Sequence, residues 1–153
     1  MLSQEGVEAE SPSAKQVTVM VLGARVHHPA GLLAPGLLDI MQGMQQLYQQ
    51  LEEDPKVWGF LGHTPALVSS EDSANNTIIW LLYWETPEAL HHFAISSMHP
   101  KLVQEYQRQA SASGYHVGIM HEVYDVPARH WETIYLNMRP FAMGGSPRCL
   151  LLP

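Results

Sequence analysis

The sequence predicts an α+β domain in which one antiparallel sheet carries its helices on a single side. Three observations predict this. Segments at 17–26, 57–70, 77–85 and 117–124 run or alternate apolar as strands do, and segments at 37–51 and 86–114 repeat apolar residues at helical spacing. They follow one another as strand, helix, strand, strand, helix, strand, the split β-α-β order of a ferredoxin-like fold. At 153 residues the chain has room for one core and not for two independent ones.

Residues 1–15 are rich in Ser, Glu, Gly and Ala, too poor in large apolar groups to offset the entropy of ordering, and are expected to form a flexible arm. The domain is expected over 16–144. Val17 to Val26 (VTVMVLGARV) is nearly all apolar and β-branched at its start, which predicts a strand covered on both faces. After His27, His28 and Pro29, GLLAPG leads into a helix whose apolar stripe is Leu37, Ile40, Met41, Met44, Leu47, Tyr48 and Leu51. Glu52, Glu53 and Asp54 would oppose the helix dipole, so they are placed beyond the last turn, before Pro55.

VWGFLGHTPALVSS predicts a strand broken by Gly59, Gly62 and Pro65, hence at a sheet edge or bulged. The polar turn EDSANN, 71–76, precedes TIIWLLYWE, where Ile78, Trp80, Leu82 and Trp84 face one way and Ile79, Leu81 and Tyr83 the other. Thr86, Pro87 and Glu88 start a helix with inner residues Leu90, Phe93, Ala94 and Ser97. It is expected to break at His99 and Pro100, to resume through Leu102, Val103, Tyr106 and Ala110, and to stop at Gly114. In the last strand Val117, Ile119, His121 and Val123 share one face, and His116, Gly118, Met120, Glu122 and Tyr124 the other. A second strand-like segment follows within 128–143, and 145–153 is expected to fray.

Helices on one side leave a large apolar sheet face, either the Trp80 and Trp84 set or the Ile79 and Leu81 set, bigger than a monomer tolerates. A homodimer follows, with two copies pressing their tryptophan-bearing faces into a shared barrel-like core and the 128–143 segment laid across the partner as a strand or arm. The net charge of −7, with eight Lys and Arg, speaks against nucleic acid and anionic membrane surfaces. The one cysteine, Cys149, fits a reducing compartment, and with no apolar leader or span a soluble, cytoplasmic protein is expected. No G-x-G-x-x-G follows a strand, no P-loop or G-x-S-x-G is present, and HEVYD lacks the second His of a zinc-protease helix. His27 with His28, and His91 with His92, do not put two imidazoles on one face. No metal site is therefore expected.

GFLG at Gly59 to Gly62, YW at Tyr83 and Trp84, HP at His99 and Pro100, GIMHEVYDV at Gly118 to Val126 and WETIYLNM at Trp131 to Met138 carry a resemblance. Over about 17–144 the chain resembles small dimeric α+β barrel proteins, and among them an uncharacterised bacterial and fungal family of monooxygenase-like proteins, in which Trp usually stands where Met120 does here. The resemblance implies a cavity between sheet and helices, used without a cofactor for oxygenation, cyclisation or isomerisation. In aldoxime dehydratase-like branches it implies haem with a His ligand. Fold alone does not choose among them.

His99, at the helix break, is the first candidate for acid/base work, because imidazole titrates near neutrality; the alternative is a helix-capping His. His121 is a proton shuttle or haem ligand, or else a satisfied core histidine. Trp80, Trp84, Met120, Tyr124, Tyr135, Asn137 and His63 are candidates for substrate binding, though the aromatics serve equally as core or interface, and His63 as an exposed loop residue. Tyr124, Tyr135 and Asn137 offer donors for an enolate or phenolate. The leading expectation is a small enzyme of specialised metabolism that cyclises, isomerises or dehydrates an apolar aromatic or polyketide-like molecule with His99 and His121. Cofactor-independent monooxygenation is the alternative, followed by haem-binding dehydratase chemistry and by ligand binding without turnover.

Overall fold

The computed structural model describes residues 14–69, 76–96 and 98–145. Residues 1–13 of the expected arm, 146–153 of the expected frayed tail, nearly all of the turn at 71–76, Ser97 and Cys149 lie outside the described residues. At the centre of the sheet, β1 (Val17–Val26) pairs antiparallel with β4 (Asn76–Trp84) on one side and β5 (Val117–Val126) on the other. β2 (Phe60–His63) and β3 (Leu67–Val68) pair with the outer edge of β4, giving the order β2-β4-β1-β5 of a ferredoxin-like fold.

The broken strand is at the edge, as its glycines require. Its register shifts between Phe60 and Gly62, where Gly62 takes φ 141°, and Pro65 interrupts the ladder before β3 resumes it. Buried Thr64 bridges the gap: its N–H donates to Leu81 O at 2.9 Å and its hydroxyl accepts from Leu81 N at 3.0 Å.

Helix α1 (Leu37–Glu53) buries Leu37, Gly43, Leu47 and Leu51 against the sheet. Glu52 and Glu53 stand within its last turn, against the sequence expectation. A long-range partner helps to offset the unfavourable dipole at Glu52, whose Oε1 meets His63 Nε2 at 3.1 Å. Helix α2 (Pro87–Ala94) begins as expected, with the Thr86 hydroxyl accepting from Ala89 N at 3.1 Å. The break, however, precedes His99. Helix α3 (Met98–Ser113) already contains His99 and Pro100 in its first turn, where proline removes no helical hydrogen bond.

Strand pairing assigns the two faces. Met20, Leu22 and Ala24 of β1 stand opposite Leu82, Trp80 and Ile78 of β4 and opposite Val123, His121 and Ile119 of β5. This is the helix-covered face, because Trp80, Leu82 and Trp84 form one core with Leu47, Leu51 and Phe93. The tryptophan-bearing face is thus inside the protomer, and the expectation that it pairs with a second copy is corrected. The free face carries Val19, Val21, Ile79, Leu81, Met120 and Tyr124 instead.

The 128–143 segment forms no strand, because no part of it joins a ladder of the sheet. It folds back over one end of its own chain's free face, with Trp131, Ala142 and Met143 packed against Val17, Leu61 and Tyr83. Trp131 Nε1 donates to Lys15 O at 2.8 Å. No helix among the described residues is long and apolar enough to cross a membrane.

Candidate active site

A cavity of about 620 Å³ lies between the helix-covered face of the sheet and the three helices. Its walls are largely hydrocarbon: Met20 and Leu22 of β1, Met44, Leu47 and Leu51 of α1, Leu102 of α3, and Ile119 and Val123 of β5. Gly43, in the interior of α1, explains how closely α3 crosses it. A Cβ there would come within 3.0 Å of Leu102 Cδ2. Glycine in a helix interior costs about 1 kcal/mol against alanine, which this close approach offsets.

His99 and His121 both line this cavity, His99 from the first turn of α3 and His121 from the middle of β5. The ring of His99 lies against Phe93, centroids 5.8 Å apart, and its Nδ1 is 2.9 Å from the carbonyl of Ala94. A carbonyl only accepts, so Nδ1 carries a proton and donates. The neutral ring therefore has its lone pair on Nε2. The capping alternative for His99 and its catalytic reading thus coincide in one geometry: the bond to the end of α2 fixes the tautomer that a base requires.

Of the expected substrate-binding residues, the structure brings one to the cavity. Trp84 lines it, is 0 % exposed, and keeps its indole Nε1 enclosed without a partner among the described residues. Trp80 is buried in the same core but does not line the cavity. Met120 and Tyr124 point to the free face, because they alternate with His121 along β5. Met120 lies across Gly23, and the Tyr124 hydroxyl donates to Glu122 beside it. Tyr135 belongs to the C-terminal segment, its hydroxyl donating to Phe141 O at 2.7 Å and accepting from Gly144 N at 3.0 Å. Asn137 is exposed, with φ 53°. His63 does not line the cavity but stacks on Tyr48. Met120, Tyr124, Tyr135 and Asn137 are not among the residues that line the cavity.

Two tyrosines are among the polar lining residues that sequence reasoning missed. Tyr48 of α1 and Tyr106 of α3 line the cavity; both sit in helical apolar stripes, where their sequence positions signal core. Tyr106 donates to Val117 O at 2.8 Å, and burial pushes its hydroxyl pKa up. The Tyr48 hydroxyl is enclosed without a partner among the described residues, and burial pushes its pKa up further.

The chain matches the Monooxygenase af470-like family over residues 17–143, most of its length. It belongs to that family. The family's description is that of a monooxygenase. Monooxygenase af470 of Aspergillus fumigatus is 27% identical over 141 residues, covering 92% of this chain and 50% of its relative. The chain thus spans about half the length of that curated protein. Among solved structures, the aldoxime dehydratase OxdRE in complex with butyraldoxime is similar, with a TM-score of 0.51 and 14% identity over 74% of this chain and 28% of the dehydratase. SnoaB, a cofactor-independent oxygenase from Streptomyces nogalater, matches at a TM-score of 0.48 and 12% identity, over 82% of this chain and all (100%) of its own. At its identity the dehydratase supports the fold and says nothing of chemistry.

Haem is the cofactor that the aldoxime dehydratase-like branch implies, and the cavity is a poor match for it. His99 Nε2 has the right lone pair, but haem also brings two propionate carboxylates. The carboxylates lining this cavity are Asp39 and Glu105, and no Lys or Arg is among its lining residues. Among the described residues no group of three or more His, Cys, Asp or Glu is placed to hold a metal ion.

Proposed function

We propose that this domain binds a flat, apolar, oxygen-bearing aromatic of the polyketide kind and oxygenates it without a cofactor, as a step in specialised metabolism. The observation that carries the reading is His99, a base with its lone pair fixed on Nε2 at the wall of a hydrocarbon cavity. Nε2 takes a proton from an acidic C–H beside an aryl ketone, and the carbanion passes electrons to dioxygen, forming a C–O bond and a hydroperoxide. Loss of water then leaves a new ketone, so one oxygen atom ends in the product and one in water, the substrate being the reductant. His99 gives its proton to the peroxide, and His121 carries the second C–H proton to the departing hydroxide, which completes the water. The family's monooxygenase description favours this outcome over cyclisation, isomerisation or dehydration, which share the first step and consume no oxygen.

The experiment is an oxygen electrode with anthrone as the probe. Dioxygen uptake equal to the anthraquinone formed supports the reading; rearranged product without uptake moves the chemistry to isomerisation or cyclisation. No acceleration over buffer overturns the enzyme reading.

A homodimer is part of the proposal. The free sheet face leaves Met120 46 % and Tyr124 50 % exposed beside Val21 and Ile79, and a second copy is the partner that removes this strip from water. A cytoplasmic location fits the lone cysteine.

A further inference from the structure

We propose that Tyr48 orients the ligand, its hydroxyl donating a hydrogen bond to a ketone or phenolate oxygen at one edge of the bound molecule, and that His63 is a positioning residue that holds Tyr48 from behind. The inference rests on the reading that the cavity accepts a flat apolar molecule, and it goes further by requiring an acceptor oxygen on that molecule.

Tyr48 and Tyr106 face the same cavity from opposite helices, yet one hydroxyl is satisfied by a backbone carbonyl and the other by nothing among the described residues. Buried hydroxyls are nearly always paired, and an orphan donor costs stability. On α1, Tyr48 stands at the cavity wall beside Met44, Leu47 and Leu51. Burial keeps the hydroxyl protonated, so it is a donor looking for an acceptor.

His63 is the ring stacked on Tyr48, and its geometry shows why it does not serve as that acceptor. It stacks face to face on Tyr48, centroids 4.5 Å apart and planes 18° apart. Its edges are committed elsewhere: Nδ1 lies 2.7 Å from Thr64 O, and Nε2 lies 3.1 Å from Glu52 Oε1. Both partners are oxygens, one on the residue that stitches β2 to β4 and the other on the last turn of α1. Both only accept, so a neutral imidazole donates to one of them and is held at that edge, with the phenol ring of the cavity-lining Tyr48 stacked on its face. Such fixing of a donor before the ligand arrives lowers the cost of ordering on binding.

The test uses two flat tricyclic probes that differ by a carbonyl oxygen, 9-fluorenone and fluorene, titrated by tryptophan fluorescence. The wild type is expected to favour fluorenone, and Tyr48→Phe to lose about three- to tenfold for fluorenone and nothing for fluorene. His63→Ala is expected to weaken fluorenone in the wild-type background and to have no further effect in the Tyr48→Phe background, a coupling that a merely structural role would not produce. The infrared carbonyl stretch of bound fluorenone, lowered in the wild type and restored in Tyr48→Phe, reads the same bond directly. Equal losses for both probes, or an unshifted stretch in the wild type, overturn the inference while leaving the cavity's apolar reading intact. Failure of both probes to bind overturns that reading and the inference with it.

Discussion

The two faces of the sheet are built from the same strands, residue by alternate residue, and they have been put to opposite uses. Under the helices, Trp84, His121 and Leu22 close around a cavity that also receives His99 and Tyr48. On the other side, Val17 and Tyr83 are covered by the chain's own C-terminal segment, and Met120 and Tyr124 stay open. The covered face keeps titratable and donor groups at the wall of an apolar hollow, where an unmet hydrogen bond is costly and therefore selective. The open face is largely hydrocarbon, with Arg25 and Thr77 at one end and Tyr124 bonded to Glu122 toward the other, a surface suited to meeting another surface rather than a small molecule.

If the covered face holds the chemistry, His99→Ala should slow anthrone turnover by about 10²- to 10⁴-fold in the oxygen-electrode assay. Its unfolding free energy should change by roughly 1 kcal/mol or less, since it is a half-buried residue losing one bond to a carbonyl. A variant that keeps its rate places the base elsewhere. Trp84→Ala tests the same face as structure: removing a fully buried indole should cost about 3–5 kcal/mol in urea unfolding. A loss below about 1 kcal/mol would mean that the core under the helices is not close-packed.

The open face is tested by Met120→Glu, which sets a charge on the strip assigned to a second copy. Sedimentation should show the dimer dissociation constant raised about tenfold or more, with monomer stability changed by roughly 0.5 kcal/mol or less. A wild type that sediments as a monomer at every concentration removes the pairing. The smallest effect belongs to the rim of the cavity. Hydrogen bonds from Arg108 and then Gln109 hold the exposed Glu105 carboxyl at about 2, below its ordinary 4.5. With the folded value depressed, the stabilisation is present above the ordinary value and fades as pH falls toward 2. In Arg108→Ala, a carboxyl titration followed by NMR should return Glu105 toward its ordinary value, and the acid limb of stability in that window should flatten slightly.

The strand order was legible because each strand carries its own periodicity, and the interrupted edge strand because Gly62 and Pro65 forbid a continuous ladder. Which face of β4 turns inward was not. Ile78, Trp80, Leu82 and Trp84 are as apolar as Ile79, Leu81 and Tyr83, so alternation supplies no preference and only the helices decide. Of the site, His99 was legible from its place beside Pro100. Expecting His121, Met120 and Tyr124 at one pocket conflicted with the strand's own period, which sends adjacent residues to opposite sides. Tyr48 was hidden for the converse reason: a phenol in a helical apolar stripe has the sequence signature of core, and its missing partner is a three-dimensional fact. The contacts of Glu52 with His63 and of Trp131 with Lys15 join residues far apart in the chain, beyond the reach of local pattern.

The bare backbone of residue 43 sets how tightly two helices of the roof are drawn together. Its neighbour across the gap, Leu102, is itself part of the hollow's wall, so one added methyl at 43 would be absorbed by turning that leucine and would reshape the space from above. Breadth of accepted guests can therefore be tuned from a single helical position, with every strand and both imidazoles left where they are.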